Sequence, residues 1–295
     1  MLSILIPIYN YNVYPLVSEL HKRCSECKID FEILCLDDAS NQIEYENQNV
    51  KSLENCRFEI LEKNIGRSAI RNLLAKKAKF ANLLFLDADT FPERKDFILN
   101  YLLQISNDEK LVFGGIEYQK EKPADDQLLR WFYGNDRESL SLEKRNTNPN
   151  GNALTSNILI KKNIFLSNKF DASITKYGYE DLVFLSALNK KGIVVKHIDN
   201  PTYHLGLETS QQFLDKTKIA LENLKILTET SLLGSSDSKI IRTYIFLKKL
   251  HLVDVIAFLF KKGERKIEYI LLSQKPSLLL FDLYKLGYYC GIKSK

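Results

Sequence analysis

Five cysteines, twelve glycines and seven prolines in 295 residues are too few for a disulfide-stapled, collagen-like or linker-dominated chain. No uncharged apolar run approaches the roughly 18 residues that a membrane-spanning helix requires. The opening Met1-Leu2-Ser3-Ile4-Leu5-Ile6-Pro7 has no basic segment and no small-residue cleavage site, so it reads as a buried strand rather than a secretory leader. Charge of one sign is scarce as well: 42 Lys and Arg face 37 Asp and Glu. The surplus is local, because residues 236–295 alone carry 12 basic and 5 acidic side chains. The rest is nearly neutral, which argues against nucleic acid as a partner, since phosphate neutralisation dominates that affinity. Unpatterned cysteines and the lack of a leader lead to the expectation of a reducing, cytoplasmic setting. Cys24 and Cys27 form a lone C-x-x-C in a helical stretch, without a second pair or a nearby His, and are expected to be free thiols.

What is present is a clear alternation. Continuous apolar runs at 3–8, 31–36, 57–61 and 83–86 read as strands, and helical spacing marks 13–24 and 68–80. Strands without polar alternation belong in a sheet covered on both faces by helices. The expected fold is therefore α/β, with a Rossmann-like, doubly wound and mostly parallel sheet. Ligands of such sheets bind beyond the carboxyl ends of the strands. Three of these ends are polar: Pro7, Tyr9 and Asn10; Asp37 and Asp38; Asp87 and Asp89.

Further along, 111–115, 154–161 and 193–198 read as strands, and 201–206 as a turn. Glu180 and Asp181 open a helix, and 209–230 reads as one amphipathic helix. After a linker at 233–238, apolar helices studded with lysine are expected at 239–259, 267–272 and 277–286. The domain expectation is a main domain over 1–230, with halves of about 1–105 and 106–230, and a basic helical extension over 236–295.

Several side chains suggest chemistry. Asp87-Ala88-Asp89 is a D-x-D after a strand: one carboxylate can hold a hard divalent cation, Mn²⁺ or Mg²⁺, while the other accepts from ribose hydroxyls. The alternative is a solvated turn. Asp38, with Asp37 beside it, can accept from the N–H of a pyrimidine base, or the pair can simply make an Asx-turn and helix cap. Asn64, Gly66, Arg67 and Arg71 form a glycine turn leading into a helix with two arginines on one face, suited to phosphate or to surface salt bridges. Glu180 and Asp181 can supply a general base and a hydroxyl acceptor, or cap a helix. His204 suits a metal as neutral imidazole, while His197 belongs in an apolar strand.

In this order, Ser3–Asn10, Asp37-Asp38-Ala39-Ser40, Asn64-x-Gly66-x-x-x-x-Arg71-Asn72, Leu86-Asp87-Ala88-Asp89 and Tyr177-Gly178-Tyr179-Glu180-Asp181 resemble the family 2 glycosyltransferases of the GT-A fold. The resemblance covers about residues 2–225, and the stretch from Asn157 to Glu208 resembles a bacterial subgroup that decorates surface glycans. It implies inverting transfer of a sugar from a nucleoside diphosphate donor, by family habit a UDP-sugar, to a hydroxyl of a glycan or lipid-linked acceptor. It implies that Pro7 and Tyr9 line the nucleotide pocket together with Asp37, Asp38, Asn64, Arg71 and Asp87. It implies that Asp89 and His204 hold Mn²⁺ or Mg²⁺, that Asp181 is the catalytic base with Glu180 as its fallback, and that Trp131 offers a stacking platform to the acceptor. Tyr179 departs from relatives that carry Trp or Gly there, a change that bears on acceptor contacts.

Lysine pairs at 248–249 and 261–262 and Arg265-Lys266 flank apolar helices, so 236–295 is expected either to meet an anionic membrane face or to pack on the body with its lysines snorkelling. The rival from another class is a non-catalytic sugar-nucleotide-binding subunit of a glycan assembly complex, which would have no use for Asp89, Glu180, Asp181 and His204 together. A dehydrogenase is disfavoured by the absence of G-x-G-x-x-G after the first strand. A sugar-nucleotide pyrophosphorylase is disfavoured by the loop at 8–12, which is neither glycine-rich nor basic.

Overall fold

Each apolar run of the first hundred residues becomes a strand, and the strands at the centre of the sheet are buried on both sides. The computed structural model describes residues 1–42 and 44–293. Ser294 and Lys295, the end of the expected basic extension, lie outside the described residues. The strands are β1 (Leu2–Ile8), β2 (Phe31–Asp37), β3 (Cys56–Ile60), β4 (Asn82–Leu86), β5 (Thr90–Pro92), β6 (Leu111–Phe113), β7 (Ile116–Glu117), β8 (Asn157–Lys161), β9 (Lys196–His197) and β10 (Thr202–His204). Seven make one sheet in the order β3-β2-β1-β4-β8-β6-β9, and β5-β10-β7 make a second. In the large sheet only β8 runs against its neighbours β4 and β6. The sheet is thus mixed and mostly parallel, as the sequence pattern predicts.

The chain forms two compact units. The first comprises residues 1–118, 139–175 and 187–206, and the second 119–138, 176–186 and 207–295. Among the described residues, all ten strands belong to the first. Ile4, Ile6 and Ile8 of β1 pack with Val17 and Leu20 of the helix Tyr14–Glu26 and with Phe97 and Tyr101 of the helix Phe97–Ser106. Leu5 points the other way by strand alternation and is equally buried, and the helix Arg67–Lys77 also packs on β1 and β2. Each such aliphatic side chain contributes about 1.5–3 kcal/mol by leaving water.

Two buried polar knots fix this unit. In one, Ser3 Oγ donates to Glu32 Oε1 at 2.6 Å, the Lys79 amide donates to the same carboxylate oxygen, and the Phe80 amide donates to Ser3 Oγ at 3.0 Å. The knot ties the first two strands to the segment entering β4. Glu32→Ala would strand the buried Ser3 hydroxyl and the part-buried Lys79 amide, so it is expected to cost about 1–3 kcal/mol, read as a lowered urea midpoint with an unchanged slope. In the other, the Tyr101 hydroxyl donates to Asn157 Oδ1 at 2.7 Å, while Asn157 Nδ2 donates to the carbonyls of Gly115 at 2.9 Å and Asn200 at 3.0 Å. Residue 114 must be glycine here, because a Cβ would lie 2.4 Å from both Asn200 O and the Tyr101 hydroxyl.

The second unit is helical. Its long helix Ser210–Glu229 opens with a capping box, in which Thr209 and Gln212 exchange side-chain and backbone hydrogen bonds. Leu214 of this helix packs with Leu129, Leu271, Phe281 and Tyr284. Helices Lys239–Lys249, Val253–Leu271 and Leu278–Gly291 follow.

Four sequence expectations are corrected. The helix expected over 239–259 is broken, because His251 turns into the left-handed region (φ 57°) and the Leu252 amide closes back on Leu247 O. The segment 267–272 then continues the helix from Val253 rather than forming its own. Of the strand expected at 193–198, only Lys196 and His197 pair. The turn expected at 201–206 contains β10, a paired strand that the short Thr-Tyr-His run conceals.

Candidate functional site

The first unit assembles its polar residues at the carboxyl ends of β1, β2 and β4. At the end of β2, Asp37 Oδ1 accepts from the Ser40 amide at 2.7 Å, an Asx-turn that helps carry Ala39 at φ 56°. The Asn10 amide donates to Ser40 Oγ at 2.7 Å, and Asn10 Oδ1 accepts from the amides of Asn41 at 2.8 Å and Gln42 at 3.1 Å. This binds the β1 and β2 ends into one rim. Tyr9 stands on that rim, half exposed, its hydroxyl accepting from Asn41 Nδ2 at 3.0 Å. Pro7 lies inside β1, opposite Leu36 of β2.

Asp38 is buried, and both of its oxygens are engaged. Oδ1 accepts from the Ile65 amide at 2.7 Å and Oδ2 from the Gly66 amide at 2.9 Å, while Asn64 Nδ2 donates to Asp38 O at 3.0 Å. Gly66 sits at φ 84° immediately before the helix Arg67–Lys77, a conformation that its missing side chain permits. One turn on, the buried Arg71 guanidinium meets Asp87 Oδ1 at 2.6 Å. A single helix therefore links Asp38 at the end of β2 to Asp87 at the end of β4. Arg71 acts here through Asp87, holding that carboxylate in place.

Asp89 and His204 are 115 positions apart in sequence, yet Asp89 Oδ2 and His204 Nε2 lie 3.4 Å from each other. The small sheet does this. β5 begins directly after Asp89, and its antiparallel register sets Thr90 opposite His204. The Leu205 amide then donates to Asp89 O at 2.8 Å. Gly206 completes the close approach, since a Cβ there would lie 2.6 Å from Asp89 Oδ2. The Tyr118 ring stacks on the His204 imidazole, with centroids 5.3 Å apart and planes 22° from parallel. Burial pushes the Asp89 carboxyl above its ordinary range, opposed by His204 and Arg67 and reinforced by Asp87. The same burial and the Asp89 charge push the Tyr11 phenol up. The His204 Nδ1 atom is buried and has no hydrogen-bond partner among the described residues.

In the second unit, Glu180 and Asp181 occupy the first turn of the helix Glu180–Lys190, with Glu180 buried and Asp181 partly exposed. The preceding loop is rigidly held: Gly178 and Tyr179 both have positive φ, and Asn223 Nδ2 donates to Gly178 O at 2.6 Å. A Cβ on Gly178 would meet the Ala220 side chain at 2.6 Å, so glycine is required on space as well as on conformation. Trp131 lies in the same unit, its indole N–H donating to Gln119 O at 2.7 Å and its ring edge-on to Phe132.

Tyr118 and Gly206, both close to the Asp89–His204 pair, were not assigned from the sequence. Gly206 had a legible signal in its place two residues after His204. Tyr118 had none, because its contact exists only through the pairing of β7 with β10. The five cysteines are free, and burial pushes the Cys24 thiol up, that of Cys56 up to about 12 and that of Cys290 up to about 11. Among the described residues no group of three or more His, Cys, Asp or Glu side chains is arranged to hold a metal.

The sequence model of the family described as Glycosyl transferase family 2 matches residues 3–166, just over half of the chain. Comparison with curated proteins returns no match. Among solved structures, the chain is similar to S. aureus TarS 1-349, with a TM-score of 0.50, 14% identity, and coverage of 98% of this chain and 90% of that one. It is similar to mannosyltransferase PcManGT from Pyrobaculum calidifontis, solved in complex with GDP-Man and Mn²⁺, with a TM-score of 0.52, 12% identity, and coverage of 77% and 64%. Against a longer S. aureus TarS chain the TM-score is 0.49 at 16% identity, with 77% of this chain covering 39% of that one. At these identities the likeness is one of fold.

Proposed function

Because the chain belongs to glycosyl transferase family 2, we propose that it moves a sugar from a nucleoside diphosphate donor, a UDP-sugar by preference, to a hydroxyl of a glycan or lipid-linked acceptor, inverting the anomeric carbon. The observation that carries this reading is the pair Asp89 Oδ2 and His204 Nε2, 3.4 Å apart beside the Arg71–Asp87 ion pair at the end of β4. A sheet that uses a whole antiparallel strand and a glycine to bring one part-buried carboxylate to one imidazole suits a cation better than a solvated turn.

The donor set fits Mn²⁺ or Mg²⁺: one hard carboxylate oxygen and one imidazole nitrogen, with remaining positions left for donor phosphate oxygens and water. When bound, the cation would neutralise the departing diphosphate. The PcManGT complex with GDP-Man and Mn²⁺ supports this ligand class. Asp87, fixed by Arg71, accepts from ribose hydroxyls. Asp38 retains lone pairs beyond its two backbone contacts and accepts from the base N–H. Tyr9 and Pro7 wall the nucleotide. Asp181 removes the acceptor proton as its oxygen attacks the anomeric carbon opposite the diphosphate, Glu180 holds an acceptor hydroxyl, and Trp131 stacks on the acceptor. Direct displacement needs no covalent sugar–protein bond, so configuration inverts.

A screen of UDP-, GDP- and dTDP-sugars with Mn²⁺, read by mass spectrometry for freed nucleotide and extended acceptor, tests the proposal. Donor binding without turnover across every donor and acceptor class would favour the non-catalytic subunit instead. Gly206→Ala offers a second test, since its Cβ would displace the Asp89 carboxylate. The expected outcome is a fall in kcat/KM of roughly tenfold, about 1.4 kcal/mol, partly restored by raising Mn²⁺. Loss that Mn²⁺ leaves untouched would count against a cation at Asp89.

A further inference from the structure

The second unit carries an exposed apolar ridge that the proposed sugar transfer does not use. It centres on the break between the helices Lys239–Lys249 and Val253–Leu271. Phe246 and Leu250 stand one turn apart on the first helix and its end, 60% and 50% exposed. Leu252, Val255 and Leu259 continue at spacings of three and four on the second, 38%, 49% and 58% exposed, with Phe258 beside them at 57%. The left-handed turn at His251 joins the two stripes at one tip.

Around this ridge the exposed charges are almost all positive. Arg242, Lys248, Lys249, Lys261, Lys262, Arg265 and Lys266 are exposed, against the single exposed acid Asp254 in the same two helices. Glu268, on the second helix, is drawn inward and used up by Lys218 at 2.8 Å and the Tyr284 hydroxyl at 2.7 Å. Lys262 lies over the Phe258 ring at 4.4 Å, so its stem covers apolar surface while its charge remains at the rim. Beside the ridge, and sharing Phe258 and Lys261 with it, is a cavity of about 590 Å³ whose lining mixes Ile226, Ala257 and Phe260 with Glu222, Glu229 and Glu264, so these acids gather there and not on the ridge. Among the described residues no helix is long and apolar enough to cross a membrane.

Phenylalanine and leucine on one face, lysine and arginine flanking it, and too little apolar length to span are the properties of a helix that lies in the plane of a lipid interface. We propose that this ridge docks on an anionic phospholipid surface, with Phe246, Leu250, Leu252, Val255, Phe258 and Leu259 entering the headgroup boundary and the surrounding cations meeting lipid phosphates. The charge decides between occupants. A second copy of the same face would bring seven cations against seven, which like-charge repulsion opposes, whereas an anionic leaflet complements them.

The test is co-sedimentation of the full chain with vesicles of phosphatidylcholine alone and of phosphatidylcholine with 30% phosphatidylglycerol. Wild type is expected to pellet with the anionic vesicles only, and to be released at 0.5 M NaCl. The variant Leu250→Glu/Leu259→Glu should weaken binding at least tenfold. Lys248→Ser/Lys249→Ser/Lys262→Ser/Lys266→Ser should do the same and remove the salt dependence. All these positions are on the surface, so circular dichroism should stay at wild type. Sugar-transfer activity on a soluble acceptor should be unchanged in both variants, which separates failure here from failure of the transfer proposal. Wild type remaining in the supernatant with both vesicle types would overturn the proposal, as would self-association through this face, seen as a dimer that Leu250→Glu/Leu259→Glu dissolves.

Discussion

Asp89→Asn is expected to lower kcat/KM for sugar transfer by roughly 10²–10³, the scale of losing one preorganised electrostatic contact to developing charge, while leaving the fold intact. The substitution keeps the side-chain volume, so the space that Gly206 leaves beside Asp89 is still filled. The backbone bond from the Leu205 amide to Asp89 O is untouched, and so is the pairing of β5 with β10. What disappears is the negative oxygen 3.4 Å from His204 Nε2. His204→Ala should act on the same property, so the double variant should lose much less than the product of the two single losses. Asp87→Asn provides the contrast. Its carboxylate is tied to the buried Arg71 at 2.6 Å, so replacing it removes the negative charge from a buried ion pair. That variant should lose melting temperature as well as activity, whereas Asp89→Asn should melt within about 2 °C of wild type. Paired kinetics and calorimetry on the two variants check this. Full activity in Asp89→Asn at limiting Mn²⁺ would remove the cation from the proposal.

The parts of this molecule that could be read in advance are those where one short-range pattern decides the outcome. β1, β2 and β4 are unbroken apolar runs because both sheet faces are covered, so their position, direction and polar ends follow from composition alone. The helix Arg67–Lys77 announces itself through Gly66 and the arginines that follow. What could not be read depends on pairing between distant segments. β10 is three residues long and has a Tyr-His pair where an apolar run would be expected, so it reads as a turn; only its neighbours β5 and β7 make it a strand. The internal partners of Asp38 and Arg71 were hidden for the same reason. Either residue alone suggests a direct ligand contact. In the fold Asp38 first satisfies two backbone amides of the next loop, and Arg71 first satisfies Asp87. The broken helix at His251 is a third instance, because histidine in a left-handed turn has no distinctive sequence signal of the kind glycine gives. His204 was reached through family resemblance, and the register of β5 against β10 supplies the physical reason for its position.

Asp181→Asn should separate chemistry from binding more sharply than any other change. Its carboxylate sits in the first turn of the helix Glu180–Lys190, where the helix dipole favours an acid whatever its task. Structure alone would therefore retain Asp181 or an equivalent cap, and Asn caps about as well as Asp. The variant should accordingly fold with wild-type stability. If Asp181 takes the proton from the acceptor hydroxyl, kcat should fall by roughly 10²–10⁴, the range for a positioned general base. Donor affinity should not change, since the proposed donor contacts are Asp38, Asp87 and Asp89. Titration calorimetry with the nucleotide diphosphate and steady-state kinetics at saturating acceptor measure the two quantities independently. Glu180→Gln makes the complementary case. Glu180 is buried where Asp181 is not, so its amide analogue should act mainly on acceptor KM, by weakening a hydrogen bond to a neighbouring hydroxyl. A purely capping role for Asp181 predicts a different pattern: Asp181→Asn would keep kcat as well as melting temperature. A merely nucleotide-binding role predicts a third pattern, in which the two substitutions change neither stability nor affinity and there is no turnover to lose. The assignment of Asp181 as base rests on a large fall in kcat at constant donor affinity and constant stability, and any other combination removes it.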